Sequence, residues 1–143
     1  MDGYSFSTDI RVRFAETDAQ GIVHNANYAV WFEVARVGYL EQYAGGYQRL
    51  RDAGVEALVL ETHIRYLRPA VFDDRLTVHA RCLDVSGARF RYEYAVERAG
   101  VVLADGWTKH ATVDSGTLRP TRVPPWLIEA LVTAESASPP TAG

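Results

Sequence analysis

The chain has 143 residues, 48% of them apolar and 23% charged, with a formal net charge of −3, which fits one globular domain and gives no sign of the basic face that nucleic acid requires. No apolar run approaches the ~20 residues of a membrane span, and Met1-Asp2-Gly3-Tyr4-Ser5 has neither the basic region nor the apolar core of an export signal. Cys82 is the single cysteine, so there is no intrachain disulfide framework, and a reducing cytoplasm is the expected compartment.

From Phe6 to Phe14 apolar and polar residues alternate. Phe6, Ile10, Val12 and Phe14 share one face and Ser7, Asp9, Arg11 and Arg13 the other, which predicts a half-buried strand. A polar connector, Glu16 to Gly21, follows. Between about Asn25 and Ala44 only a thin polar stripe around Glu33, Arg36, Glu41 and Gln42 interrupts the apolar residues, as expected of a long buried helix. Gly45-Gly46 should end it, because glycine readily takes the left-handed cap conformation. A short helical turn is expected within Tyr47–Gly54.

The second half reads as strands. Leu58, Leu60, Thr62, Ile64 and Tyr66 alternate with Glu61, His63 and Arg65. Leu76, Val78, Ala80 and Cys82 alternate with Arg75, Thr77, His79 and Arg81. Phe90, Tyr92, Tyr94 and Val96 alternate with Arg89, Arg91, Glu93 and Glu97. Ser86-Gly87 and Ala99-Gly100 punctuate the runs as hairpin turns. A fifth strand spans Val101 to Val113, where Gly106 predicts a bulge or a close backbone approach. Pro124-Pro125 opens a short C-terminal helix. The expected architecture is α+β, one antiparallel sheet against one long helix, in a single domain over residues 1–134 with a disordered polar tail over 135–143. A lone sheet and helix would leave apolar surface uncovered unless the sheet curls or a second subunit packs on it.

The unusual segment is Thr17-Asp18-Ala19-Gln20-Gly21-Ile22-Val23-His24-Asn25-Ala26-Asn27-Tyr28, just before the long helix. A helix start carries backbone N–H groups without partners and partial positive charge, and can stabilise charge developing on a carbonyl oxygen. A carboxylate beside it, here Asp18, could attack that carbonyl or deprotonate a water. Gly21 would let the backbone come close. Alone, an aspartate in a glycine-containing loop is more often a turn former.

The stretch from Arg13 to Tyr39, with Thr17-Asp18-x-x-Gly21-Ile22-Val23-x-x-x-Asn27-Tyr28 followed by Trp31-Phe32-Glu33-x-Ala35-Arg36, resembles the 4-hydroxybenzoyl-CoA thioesterase-like branch of the hotdog superfamily. The order of strands and helix follows that branch to about Val123. The resemblance implies a hotdog fold, a curved five-stranded antiparallel sheet wrapped around one long helix. It also implies a homo-oligomer, dimer or tetramer, with active sites at the subunit interface. The implied reaction is hydrolysis of an acyl- or aryl-CoA thioester, with no cofactor beyond the coenzyme A of the substrate and no metal. By the same resemblance Asp18 is the catalytic nucleophile or general base, and the backbone N–H of Asn25 polarises the thioester carbonyl. Gly21, Ile22 and Tyr28 of the motif then lie beside the substrate. His24-Asn25 stand where many members carry an aromatic pair or Tyr-His, so the acyl pocket differs there while the backbone donor is kept. A sister group acting on polyketide carrier proteins lacks the aspartate. A carrier-protein thioesterase and a non-catalytic acyl-CoA-binding protein are the alternatives. Hydratase relatives carry His-Phe-Pro-Gly-type or Asp-x-Asn-Pro-x-His-type signatures, and neither occurs here.

Other residues carry a functional and a plainer reading. His24 could orient water or the carboxylate, or simply fill the loop. Glu33 suits an ion pair with Arg36 or a neighbouring strand, and Tyr28 and Trp31 suit the core as well as an acyl pocket. His63 on its polar strand face could reach a partner's active site. Arg89 and Arg91, near the Gly87 turn, suit the phosphates of coenzyme A by their planar forks, or are solvated charges. Cys82 falls on the apolar alternation and reads as core. The four histidines show no metal-ligand spacing, and there is no Gly-x-Ser-x-Gly elbow.

Overall fold

Hydrophobic alternation in this chain becomes one antiparallel sheet. In the computed structural model, which describes residue 1 and residues 3–136, the strands are β1 (Phe6–Arg11), β2 (Val55–Tyr66), β3 (Arg75–Ser86), β4 (Arg89–Arg98) and β5 (Val101–Asp114). Their order across the sheet is β1-β3-β4-β5-β2, and every neighbouring pair is antiparallel. Helix α1 (Ala26–Ala44) packs on one face, followed by α2 (Gly46–Asp52), with α3 (Pro125–Ser136) closing the chain of elements. This is the expected α+β hotdog arrangement. Gly45 ends α1 at φ 79° with its N–H on the Leu40 carbonyl, as a left-handed cap should.

One row of residues crosses all five strands on the inner face: Phe6, Ala80, Tyr94, Gly106 and Ile64. The Phe32 ring of α1 stacks on Tyr94 at 4.1 Å and 8°. Gly106 makes that approach possible. A Cβ there would stand 3.0 Å from the Phe32 ring and 2.1 Å from the His63 carbonyl oxygen, so the expected close backbone approach is present. Tyr39 meets Tyr92 edge-on at 5.2 Å and Phe6 at 6.1 Å, which extends the aromatic layer along α1.

Four details differ from the sequence expectation. The chain leaves β1 at Arg11 and turns through a 3₁₀ segment, Phe14–Glu16, so the period of two lapses and Phe14 is 74% exposed. In β2 the pairing with β5 shifts between Val59 and Glu61. The extra residue, Leu60, moves Leu58 to the outer face and brings Val59 to the inner one. Helix α1 is not buried all round: Val30, Val34 and Val37 are exposed, as are Leu58, Val59 and Leu60 of the edge strand β2, because nothing among the described residues covers them. Finally, the expected tail boundary at Glu135 does not hold for its first two residues. Glu135 and Ser136 belong to α3, and Glu135 accepts hydrogen bonds from the Ser5 hydroxyl (2.7 Å), the Tyr39 hydroxyl and the Cys82 N–H (3.0 Å). Residues 137–143 of that expectation lie outside the described residues.

Candidate active site

The segment between β1 and α1 is folded on itself by an isolated bridge from Thr17 to Val23 and tied to the β2–β3 connection by another from Ile22 to Val71. The Asp18 N–H donates to the Ile22 carbonyl (2.9 Å) and the Gly21 N–H to the Asp18 carbonyl (3.0 Å). The resulting tight loop needs Gly21 at φ +80°, the left-handed region that side chains disfavour. Half-buried Asp18 accepts the Gln20 N–H on Oδ1 at 2.8 Å. Its second carboxylate oxygen makes no hydrogen bond among the described residues, and so is free to act.

Helix α1 begins without the usual side-chain cap at Asn25. The ring of His24 takes that place: Nδ1 accepts the Ala26 N–H at 3.3 Å. The His24 carbonyl accepts the Asn27 N–H (3.0 Å) and the Asn25 carbonyl accepts that of Tyr28 (3.3 Å). The Asn25 N–H itself has no acceptor among the described residues, which leaves a donor at the positive end of a 19-residue helix.

Asp18, Ile22, His24, Asn25 and Tyr28 line one cavity of about 480 Å³. The end of β2 adds Tyr66, whose hydroxyl donates to the Asn25 carbonyl at 3.1 Å and whose ring meets Tyr28 edge-on at 5.1 Å. Arg68 from the β2–β3 connection is the one Lys or Arg of the wall. Tyr28 reconciles its two readings, being 3% exposed and still part of the cavity wall. Burial pushes its phenol upward, so it stays a neutral donor. Neither Tyr66 nor Arg68 stood out in the sequence, since a strand end and an irregular connection carry no local signature.

The remaining candidates lie elsewhere in the single chain. His63 is on the outer sheet face, stacked on Trp107 at 5.4 Å. Arg89 and Arg91 belong to another outer hollow, and Arg91 is held by Asp84 (2.9 Å) and Glu93 (2.7 Å). Glu33 makes no ion pair with Arg36 or with any other described residue. It is exposed, while Arg36 turns inward and donates to the Tyr94 hydroxyl at 3.1 Å. From there the bonds run to Thr108 (2.6 Å) and His110 Nε2 (2.7 Å). Arginine can only donate; a run in which the Tyr94 proton goes to Thr108 and the Thr108 proton to His110 Nε2 gives every hydroxyl proton an acceptor. Cys82 is buried, and burial pushes its thiol far up, in keeping with core rather than nucleophile. Among the described residues no three His, Cys, Asp or Glu side chains gather as metal ligands, and no helix is long and apolar enough to cross a membrane.

A free carboxylate oxygen and a free helix N–H in one cavity are the elements of acyl-transfer chemistry. The profile described as the thioesterase-like superfamily matches residues 12–131. The chain belongs to that superfamily. With the family goes the reaction class, and this member is a thioester hydrolase, as its motif implies. It is 35% identical over 120 residues to the acyl-CoA thioesterase YbgC of Haemophilus influenzae, covering 83% of this chain and 88% of that one. Among solved structures, the DHNA-CoA thioesterase of Staphylococcus aureus superposes with a TM-score of 0.84 at 27% identity, over 91% of this chain and 90% of that one. A thioesterase of Thermus thermophilus, complexed with coenzyme A and Zn, superposes with a TM-score of 0.83 at 25% identity, over 95% of this chain and 98% of that one.

Proposed function

We propose that this family member hydrolyses an acyl- or aryl-CoA thioester to the carboxylic acid and free coenzyme A, at the cavity between Asp18 and the start of α1. The observation that carries the reading is the pairing of two unengaged groups on one wall: the second oxygen of Asp18 and the N–H of Asn25. The thioester carbonyl oxygen accepts the Asn25 N–H, and negative charge developing there is met by the helix dipole. Asp18 supplies the nucleophilic push, directly on the carbonyl carbon or by taking a proton from water. The C–S bond breaks, the thiolate leaves and is protonated, and water provides the hydroxyl of the acid. His24 caps the helix start and holds its ring at the cavity, while Ile22 and Tyr28 give the acyl group an apolar wall. Arg68 offers a cation to the phosphates of the substrate.

The names of the relatives support a coenzyme A substrate, and the retained Asp18 agrees with them. The exposed valines of α1 beside the open edge of β2 support assembly with a second copy, the arrangement in which His63, Arg89 or Arg91 of one subunit could approach the cavity of another. A cytoplasmic location follows from the same reading.

The test is thiol release from short, medium, long and aryl acyl-CoAs by wild type and by Asp18→Asn. Turnover by the wild type and a fall of at least about 100-fold in kcat for the folded variant are expected. Equal turnover in the variant removes Asp18 from the chemistry. No turnover with any acyl-CoA moves the assignment to carrier-protein thioesters or to ligand binding.

A further inference from the structure

Two residues before Asp18 sits a carboxylate that the reaction itself does not use. Glu16 is 4% exposed and forms no part of the cavity wall. It nevertheless holds four donors. Oε1 accepts the Arg13 N–H at 2.8 Å and Oε2 accepts the Trp31 indole N–H at 2.9 Å. Its backbone carbonyl accepts the His24 N–H at 2.8 Å and the Asn27 side-chain amide at 3.0 Å.

Those four groups mark the entrance of the Asp18 loop, its exit, and the first two turns of α1. We propose that Glu16 is a positioning residue for thioester hydrolysis, fixing the loop that carries Asp18 against the helix start that carries the Asn25 N–H. The inference rests on the roles given to Asp18 and Asn25 above. Trp31, 2% exposed on the buried side of α1, is the peg, and the Glu16 carboxylate is the hook that reaches it from the loop. The His24 N–H on the Glu16 carbonyl then sets the peptide that precedes the Asn25 donor.

Stability alone is a poor account of this carboxylate. Among the described residues its one ion pair is with the Arg13 guanidinium, 3.6 Å away on a side chain 74% exposed, which offsets little of the cost of burying a carboxylate. A well-packed apolar side chain often serves stability as well as a buried ion does. What an apolar residue cannot do is hold an indole N–H and a backbone N–H in one fixed geometry. Displacement of a reacting group by about 1 Å costs on the order of 100-fold in rate.

The experiment compares wild type, Glu16→Gln, Trp31→Phe and the double variant, each checked for folding by circular dichroism and assayed below its melting temperature. Glutamine keeps one acceptor but turns an amide N–H toward the other donor, and phenylalanine removes the peg while keeping the ring's bulk. Each single variant is expected to lose about 10- to 100-fold in kcat with KM within about threefold, and the double variant to be no worse than the worse single. Hydrogen exchange gives a readout that needs no turnover: the His24 amide should exchange faster in Glu16→Gln while amides of β4 and β5 do not change. A folded Glu16→Gln with kcat within twofold of wild type overturns the proposal, as do additive losses in the double variant. If the wild type cleaves no thioester, the reading of Asp18 falls by itself. The clamp then stands or falls on exchange, with wild-type protection at His24 in Glu16→Gln overturning it.

Discussion

His110 is 2% exposed, and burial, with the Arg36 charge adding to it, pushes its imidazole down to about 3, so the ring is neutral at working pH. With Nε2 as the acceptor that lets the Tyr94 and Thr108 protons all be used, a proton there would disrupt the chain as well as bury a second cation beside Arg36. In the unfolded chain the same imidazole takes a proton near pH 6.5. Between pH 6.5 and about 3 the unfolded state therefore binds more protons than the folded state. The contribution of His110 is complete above pH 6.5 and falls by up to about 1.4 kcal/mol for each unit below it. Urea unfolding at pH 6.5 and pH 5 should show wild type losing about 2 kcal/mol more than His110→Gln, whose side-chain oxygen can still accept from Thr108. Equal losses would mean that His110 titrates normally in the fold.

At the scale of elements, Glu135 is a single carboxylate that several of them share. One oxygen near the end of α3 takes donors from Ser5, which leads into β1, from Tyr39 on α1 and from Cys82 on β3. Burial pushes the Tyr39 phenol far up, so it donates at any working pH. Glu135→Ala leaves those donors without their acceptor and should cost about 2 kcal/mol, visible as a lower denaturant midpoint, with Glu135→Gln losing less. Cooperative unfolding at the wild-type midpoint in Glu135→Ala would remove α3 from the account of stability. Nothing in the sequence marks this role. The residues after Leu131 are small and polar with no apolar period, and the partner Tyr39 lies 96 positions away. The strands β3 and β4 were legible because their signal is local, every second residue repeating over ten or more positions. The same rule misplaced Leu58 in β2, where one inserted residue reverses the faces, and Phe14, where the strand had already ended.

For the molecule as a whole, the candidate residues separate into a group that one chain brings together and a group that it does not. Asp18, Gly21, Ile22, His24, Asn25 and Tyr28 are close in sequence, so a motif could reveal them, and they fold into one loop and helix start. His63, Arg89 and Arg91 come from distant strands, and only three-dimensional placement shows that they face away from the cavity of their own chain. Glu16 and Tyr66 were hidden because each acts through a bond to a residue far along the chain, Trp31 or Asn25. Val34 on α1 and Leu60 on the edge strand β2 are both exposed and should meet a second copy. The double substitution Val34→Lys/Leu60→Lys is expected to convert a dimer or tetramer to monomer in sedimentation velocity, with thioesterase activity falling alongside. A wild type that sediments as monomer at assay concentrations would refute assembly through this face.

Tyr66 gives that expectation a further meaning. Its strand forms the open border of the sheet, yet its hydroxyl holds the first peptide of α1 through the Asn25 carbonyl. Whatever steadies the border also steadies the helix start whose N–H is proposed to meet the substrate. By mass action the influence runs both ways, since two events that order one segment must favour each other equally. Substrate in the cavity should therefore draw copies of the chain together by the same factor by which their association tightens its hold on substrate, and the size of the particle in solution would then carry a record of how much thioester surrounds it.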